Sequence, residues 1–145
     1  MNWILLAIAS ALFYGSYNLF IKLASSHMHQ VLAAFILQAT ALVVGIVLLI
    51  LLKVRGDTIT LDPPGARLAM IAGVSVALGE VLAFYVFSKG VAVSQGAPVI
   101  IGGTVAATGI YGVYLLRESL APLQWIGFIL ILAGIVFLTS FQRAG

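Results

Sequence analysis

The chain has 145 residues, 63% of them hydrophobic and 8% charged, with a formal net charge of +3 and a mean hydropathy of +1.21. A soluble core of this size could not bury so much apolar surface, so the composition specifies an all-α integral membrane protein. There is no Cys, which excludes disulfides, thiolate metal sites and cysteine nucleophiles, and the few basic residues form no patch of the kind that binds nucleic acid.

A helix that crosses about 30 Å of hydrocarbon needs about 20 mostly apolar residues. On that rule five spans are expected, at residues 3–24, 31–52, 68–88, 98–116 and 123–141, within one membrane domain covering residues 1–145. The links between them are too short for an extramembrane module, and an odd number of spans puts the two ends on opposite sides. The first run lacks a basic n-region and a small-residue cleavage site, so it is expected to stay as a span rather than to act as a signal peptide.

The first span, WILLAIASALFYGSYNLFIKLAS, carries Ser10, Tyr14, Tyr17 and Asn18 at helical spacing, a polar stripe that faces protein or a cavity. Ordinary interhelical hydrogen bonding and the lining of a substrate site both account for it. Lys22 stands near the span end, where snorkelling to the head groups is the simplest expectation. His27 and His29 follow in a polar link and, without a third ligand, read as solvated residues rather than a metal site. The second span is uniformly apolar except for Gln38, for which a bond to a neighbouring helix is expected. The link KVRGDTITLDPPGAR from Lys53 to Arg67 holds Asp57, Asp62 and the turn-forming Pro63, Pro64 and Gly65.

The third span, LAMIAGVSVALGEVLAFYVFS, contains Glu80, the one acidic residue in any long apolar run of the chain. A carboxylate in hydrocarbon costs a few kcal/mol or more, so such groups face a bundle interior or an aqueous cavity and mark a substrate, ion or proton path. At about 1.5 Å rise per residue, Glu80 lies roughly 13 to 14 Å from Lys89 and roughly 20 Å from Arg67 along the axis. Its partner is therefore on another helix or is a ligand. The competing reading is a structural carboxyl, protonated and hydrogen-bonded to a neighbour. Three- and four-residue spacing puts Gly73, Val76, Ala77, Ala83, Phe84 and Phe87 on the same face, where the phenylalanines could wall a pocket.

The fourth span runs through Gly102, Gly103, Thr104, Ala106, Ala107, Thr108, Gly109 and Gly112. Small residues at four-residue spacing permit close helix packing, and paired glycines loosen a helix, so Gly102, Gly103 and Gly109 are expected to serve packing or a hinge. In the fifth span Trp125 is an interfacial anchor, and Gly127 and Gly134, seven residues apart, offer one smooth face for helix pairing. Between these spans, Arg117 and Glu118 are expected to form a local ion pair.

Several of these stretches resemble the drug/metabolite transporter superfamily, in particular its five-span bacterial and archaeal members with a single EamA-like domain. The residues that carry the likeness are Tyr14 and Gly15 followed by Lys22, the stretch FYVFSKGVAVSQGAPV from Phe84 to Val99, and the tail LRESLAPLQWIGFILILAGIVFL ending at Leu138. In that tail Glu118, Gln124, Gly127 and Gly134 match a recurrent pattern of an acidic residue, a Gln and two glycines. The run from Gly127 to Gly134 is also similar to the subunit-pairing helix of small multidrug resistance exporters. Those proteins keep a glutamate eight residues before a lysine in their first span, where this chain has Tyr14.

The resemblance implies half of a transporter: two five-span halves, inverted in the membrane, around a cavity lined by the first, third and fourth helices of each. Tyr14, Tyr17, Asn18, Glu80 and Phe84 would then contribute to a substrate or proton site. It also implies a multi-pass protein of the inner membrane. The expected function is secondary transport of a small molecule by alternating access, driven by an ion or proton gradient or by exchange, since the chain has no nucleotide-binding motif and needs no cofactor. The alternative is a non-transporting membrane subunit that assists another complex. Enzyme activity is not expected, because no span contains a Cys or His to pair with the one buried acid. An antiparallel homodimer is expected on charge as well. Orientation follows Lys and Arg in short loops, and Lys53, Arg55, Arg67 and Arg117 on the N-terminal side stand against Lys22, Lys89 and Arg143 on the other, almost no bias.

Overall fold

Five helices account for most of the chain: α1 (Trp3–Ser25), α2 (Gln30–Val54), α3 (Pro63–Ser88), α4 (Val93–Tyr114) and α5 (Pro122–Ser140). All five are long and apolar enough to cross a membrane. The structure, a computed structural model, describes residues 2–140; the expected end of the last span at Phe141 and the basic Arg143 lie outside them.

Local chemistry sets the helix starts. The first N–H groups of a helix have no intrahelical partner and need caps. The Asn2 side chain accepts from Ile4 N at 3.1 Å, His29 Nδ1 accepts from Val31 N at 3.3 Å, and Asp62 Oδ2 accepts from Gly65 N at 3.0 Å. With Asp62 as cap and a proline in the first turn, α3 begins at Pro63, ahead of the apolar run at Leu68. Likewise α4 begins at Val93 rather than at Pro98, because Gln95 N and Gly96 N already bond to the Ala92 carbonyl, at 3.0 and 2.9 Å. Pro98 is carried inside the helix, as membrane helices tolerate. At the other end α4 stops at Tyr114 rather than Leu116. Leu115 N and Leu116 N both turn onto the Tyr111 carbonyl, and Arg117 adopts a left-handed φ of 56°.

The chain divides into two compact units, Met1–Gly90 and Val91–Gly145. In the first, α3 packs against both α1 and α2. The buried residues are Asn18, Ile21 and Ser25 of α1, Ala33 and Ala34 of α2, and Ala83, Phe84 and Phe87 of α3. In an up-down-up crossing these positions share one membrane side. Small Ala33 and Ala34 let α2 be approached closely there, and in lipid such van der Waals fit, rather than a hydrophobic drive, holds helices together. Residues 3–16 of α1 are exposed throughout, so the core of this unit occupies only one half of its depth.

In the second unit α4 and α5 form an antiparallel pair. A Cβ at Gly102 would run into Ile135, and one at Gly109 would run into Phe128. Seven residues separate the members of each set, so two large side chains of α5 fill two gaps on one face of α4, the geometry of knobs entering holes. The link between these helices folds back as well. Glu118 N bonds to Gly112 O at 3.0 Å, and its carboxylate lies 2.6 Å from where a Cβ on Gly112 would stand.

Candidate functional site

Glu80 stands on α3, eight residues before the helix ends at Ser88, or about 12 Å along the axis. It is half-buried, in line with half-buried Ala77 and with buried Phe84 and Phe87, whereas Gly73 and Val76, expected on the same face, are exposed. Glu80 therefore marks the edge at which the packed half of this unit gives way to the exposed half. Its Oε2 is buried and has no hydrogen-bond partner among the described residues. Buried polar atoms are nearly always paired, so an orphaned carboxylate oxygen is a departure that asks for a ligand, a proton or a partner.

The α1 residues come near in height without bonding to that oxygen. Lys22 Nζ donates to the Phe87 carbonyl at 3.0 Å across 65 positions, rather than reaching for head groups. That contact sets the register of two parallel helices: 65 positions before Glu80 is Gly15, so Tyr14 and Asn18 fall within about one turn of the carboxylate's level. A Cβ at Gly15 would meet nothing within 4 Å. Asn18 is buried, 5% exposed, and its Nδ2 donates to Tyr14 O at 2.7 Å within its own helix. The Tyr14 and Tyr17 rings meet edge to face, with centroids 6.1 Å apart and planes at 88°. Tyr14 is 63% exposed. Tyr17 is half-buried and, with Phe84, lines an apolar groove of about 290 Å³.

Gln38 was not among the site residues expected from sequence, yet it joins the half-buried stripe of α2 with Leu37, one turn beyond buried Ala34. Across the groove Phe84 faces Ala33, Ile36 and Leu37. Stepping four residues back along α3 to Glu80 means stepping forward by as many on antiparallel α2, which brings Gln38 to the carboxylate's level. The signal was available in its being the one strongly polar side chain of the second span.

In the second unit, Gly102 and Gly109 seat Ile135 and Phe128, whereas a Cβ at Gly103, Gly127 or Gly134 would meet nothing within 4 Å. The smooth face of α5 is thus unused within this unit. Among the described residues no group of three or more His, Asp or Glu could hold a metal ion.

Compared with known families, residues 1–140 match the model of the EamA-like transporter family. No curated protein and no solved structure matches the chain.

Proposed function

The chain belongs to the EamA-like transporter family, membrane transporters of the drug/metabolite type rather than enzymes, and on that premise we propose that it moves its substrate by alternating access around Glu80. The observation that carries this reading is the buried Oε2 of Glu80, which has no hydrogen-bond partner among the described residues, some 12 Å inside the end of a membrane helix. A carboxylate so placed binds either a proton or a cationic group of the substrate, and moving between the two couples transport to a gradient or to exchange. Tyr14, Tyr17 and Asn18 on α1 and Gln38 on α2 supply polar groups at about the same height, and Phe84 supplies an apolar wall.

Two copies inverted in the membrane, most simply the inner membrane of the cell, give this site its second half. The unoccupied face of Gly127 and Gly134 supports a contact between copies on α5. Gly103, where a Cβ would meet nothing within 4 Å, remains free to act as a flexible point in α4 during the rocking of the halves.

A thermal-shift screen tests the site. The purified protein and its Glu80→Gln variant are heated with cationic, zwitterionic, anionic and neutral metabolites. Stabilisation by one class in the wild type, lost in the variant, identifies ligand and site together. Equal stabilisation of both proteins removes Glu80 from the site, and a wild type that responds to no class favours the non-transporting subunit.

A further inference from the structure

The groove between α1, α2 and α3 is walled by Tyr17, Phe20, Ala24, Met28, Ala33 and Phe84. It runs from the link before α2 down to Tyr17, seven residues below Ala24 on α1, so its depth is about 10 Å. That is a third of what a membrane helix would need for a continuous seam. Its volume of about 290 Å³ lies at the lower limit of small-molecule pockets and suits one flexible hydrocarbon chain. The lining is apolar and half open, with Phe20 65% exposed.

The mouth of the groove has a sign. The ends of α1 and α3 and the start of α2 meet there, bringing Lys22, His27, His29 and Lys89 to one membrane side of this unit, together with the positive end of α2 and the negative ends of α1 and α3, the last of which the Lys22 ammonium offsets. No Asp or Glu of residues 1–90 lies at this side: Asp57 and Asp62 are in the link at the opposite one, and Glu80 is inside the span. His27 and Lys89 are exposed. The Lys22 ammonium is held at Phe87 O, beneath that rim. His29 keeps its Nδ1 on the helix start, which leaves its other ring nitrogen available.

We infer that this groove is a binding site for an anionic phospholipid, one acyl chain lying between Tyr17, Ala24 and Phe84 and the phosphate resting among His27, His29 and Lys89. Lipid tails already surround the protein, so the chain alone creates no preference; the selecting force is the head-group charge against a rim whose titratable side chains are all basic. A lipid there braces the packed half of the unit directly above Glu80.

The test uses the purified chain in neutral detergent, titrated with mixed micelles of dioleoyl phosphatidylglycerol or dioleoyl phosphatidylcholine and followed by thermal unfolding. Phosphatidylglycerol is expected to stabilise at a concentration at least about tenfold lower than phosphatidylcholine, a factor worth about 1.4 kcal/mol. In a His27→Gln/Lys89→Gln variant the two lipids should become equivalent. In Ala24→Phe, which fills the groove, the phosphatidylglycerol effect should vanish, with Ala24→Leu as the milder replacement if that protein does not fold. Glycerol 3-phosphate should not stabilise. Equal potency of the two lipids in the wild type, an undiminished phosphatidylglycerol effect in the filled variants, or full stabilisation by glycerol 3-phosphate would each overturn the site. Native mass spectrometry gives an independent reading. A retained phosphatidylglycerol on each wild-type chain supports it, and a lipid-free dimer that becomes monomeric in Ala24→Phe assigns the groove to a second copy instead.

Discussion

Lys22 donates from Nζ to the backbone carbonyl of Phe87 at 3.0 Å, and this single bond ties α1 to the last turn of the helix that carries Glu80. The carbonyl also accepts from Gly90 N at 3.1 Å. Carbonyls at a helix end lack intrahelical donors and carry the negative end of the helix dipole, so an ammonium is a natural partner. Removing it in Lys22→Met should lower stability by about 1 kcal/mol, the scale of interhelical hydrogen bonds in membranes. Thermal unfolding in detergent reads this directly, and an unchanged midpoint would show that Lys22 serves the head groups after all.

The pairing of α4 with α5 gives a sharper contrast between neighbouring glycines. Gly102→Ala and Gly109→Ala push a methyl group into Ile135 and Phe128 and should each cost about 1 to 3 kcal/mol through overpacking. Gly103→Ala meets open space and should be neutral or slightly stabilising, since Ala favours a helix over Gly. Unfolding midpoints that rank Gly103→Ala with the other two would refute the packing.

Much of this was readable beforehand and some was not, for reasons that lie in particular residues. Five spans follow from the length and purity of the apolar runs, and Glu80 stands out because no other acid interrupts one. The start of α3 at Pro63 was also encoded, in Asp62 followed by two prolines, but a rule that counts only apolar residues trims such a polar first turn. Lys22 could not be assigned its partner, because a backbone carbonyl has no sequence signature and the contact spans 65 positions. The division of labour among the glycines was hidden too. Gly102 and Gly103 are adjacent and chemically identical, and only the placement of Ile135 separates them.

Gly134→Leu tests the contact between copies. A Cβ at that position meets nothing within 4 Å, so the variant should still fold while a crosslinked dimer in detergent shifts to monomer. A dimer that persists moves the interface away from this face of α5.

Inverted pairing has its own measurement. Asp57 is exposed in the link between α2 and α3, and the chain has no Cys, so a Cys placed at Asp57 is the sole target for a membrane-impermeant thiol reagent. About half of the protein should react in intact cells and the rest after permeabilisation, because the near balance of Lys and Arg across the membrane gives little orientation bias. Labelling that is all or none in intact cells would exclude an inverted homodimer.

The most direct measurement concerns Glu80 itself. Wild type and Glu80→Gln are reconstituted into proteoliposomes at matched incorporation, and uptake is followed for the metabolite that stabilises the wild type in the thermal screen. Gln keeps the size and shape of the side chain but cannot carry its charge or exchange its proton, so uptake by the variant should fall to the background of empty liposomes while its unfolding midpoint stays close to that of the wild type. Uptake at the wild-type rate would contradict a functional carboxylate at this position and leave Glu80 as a structural group.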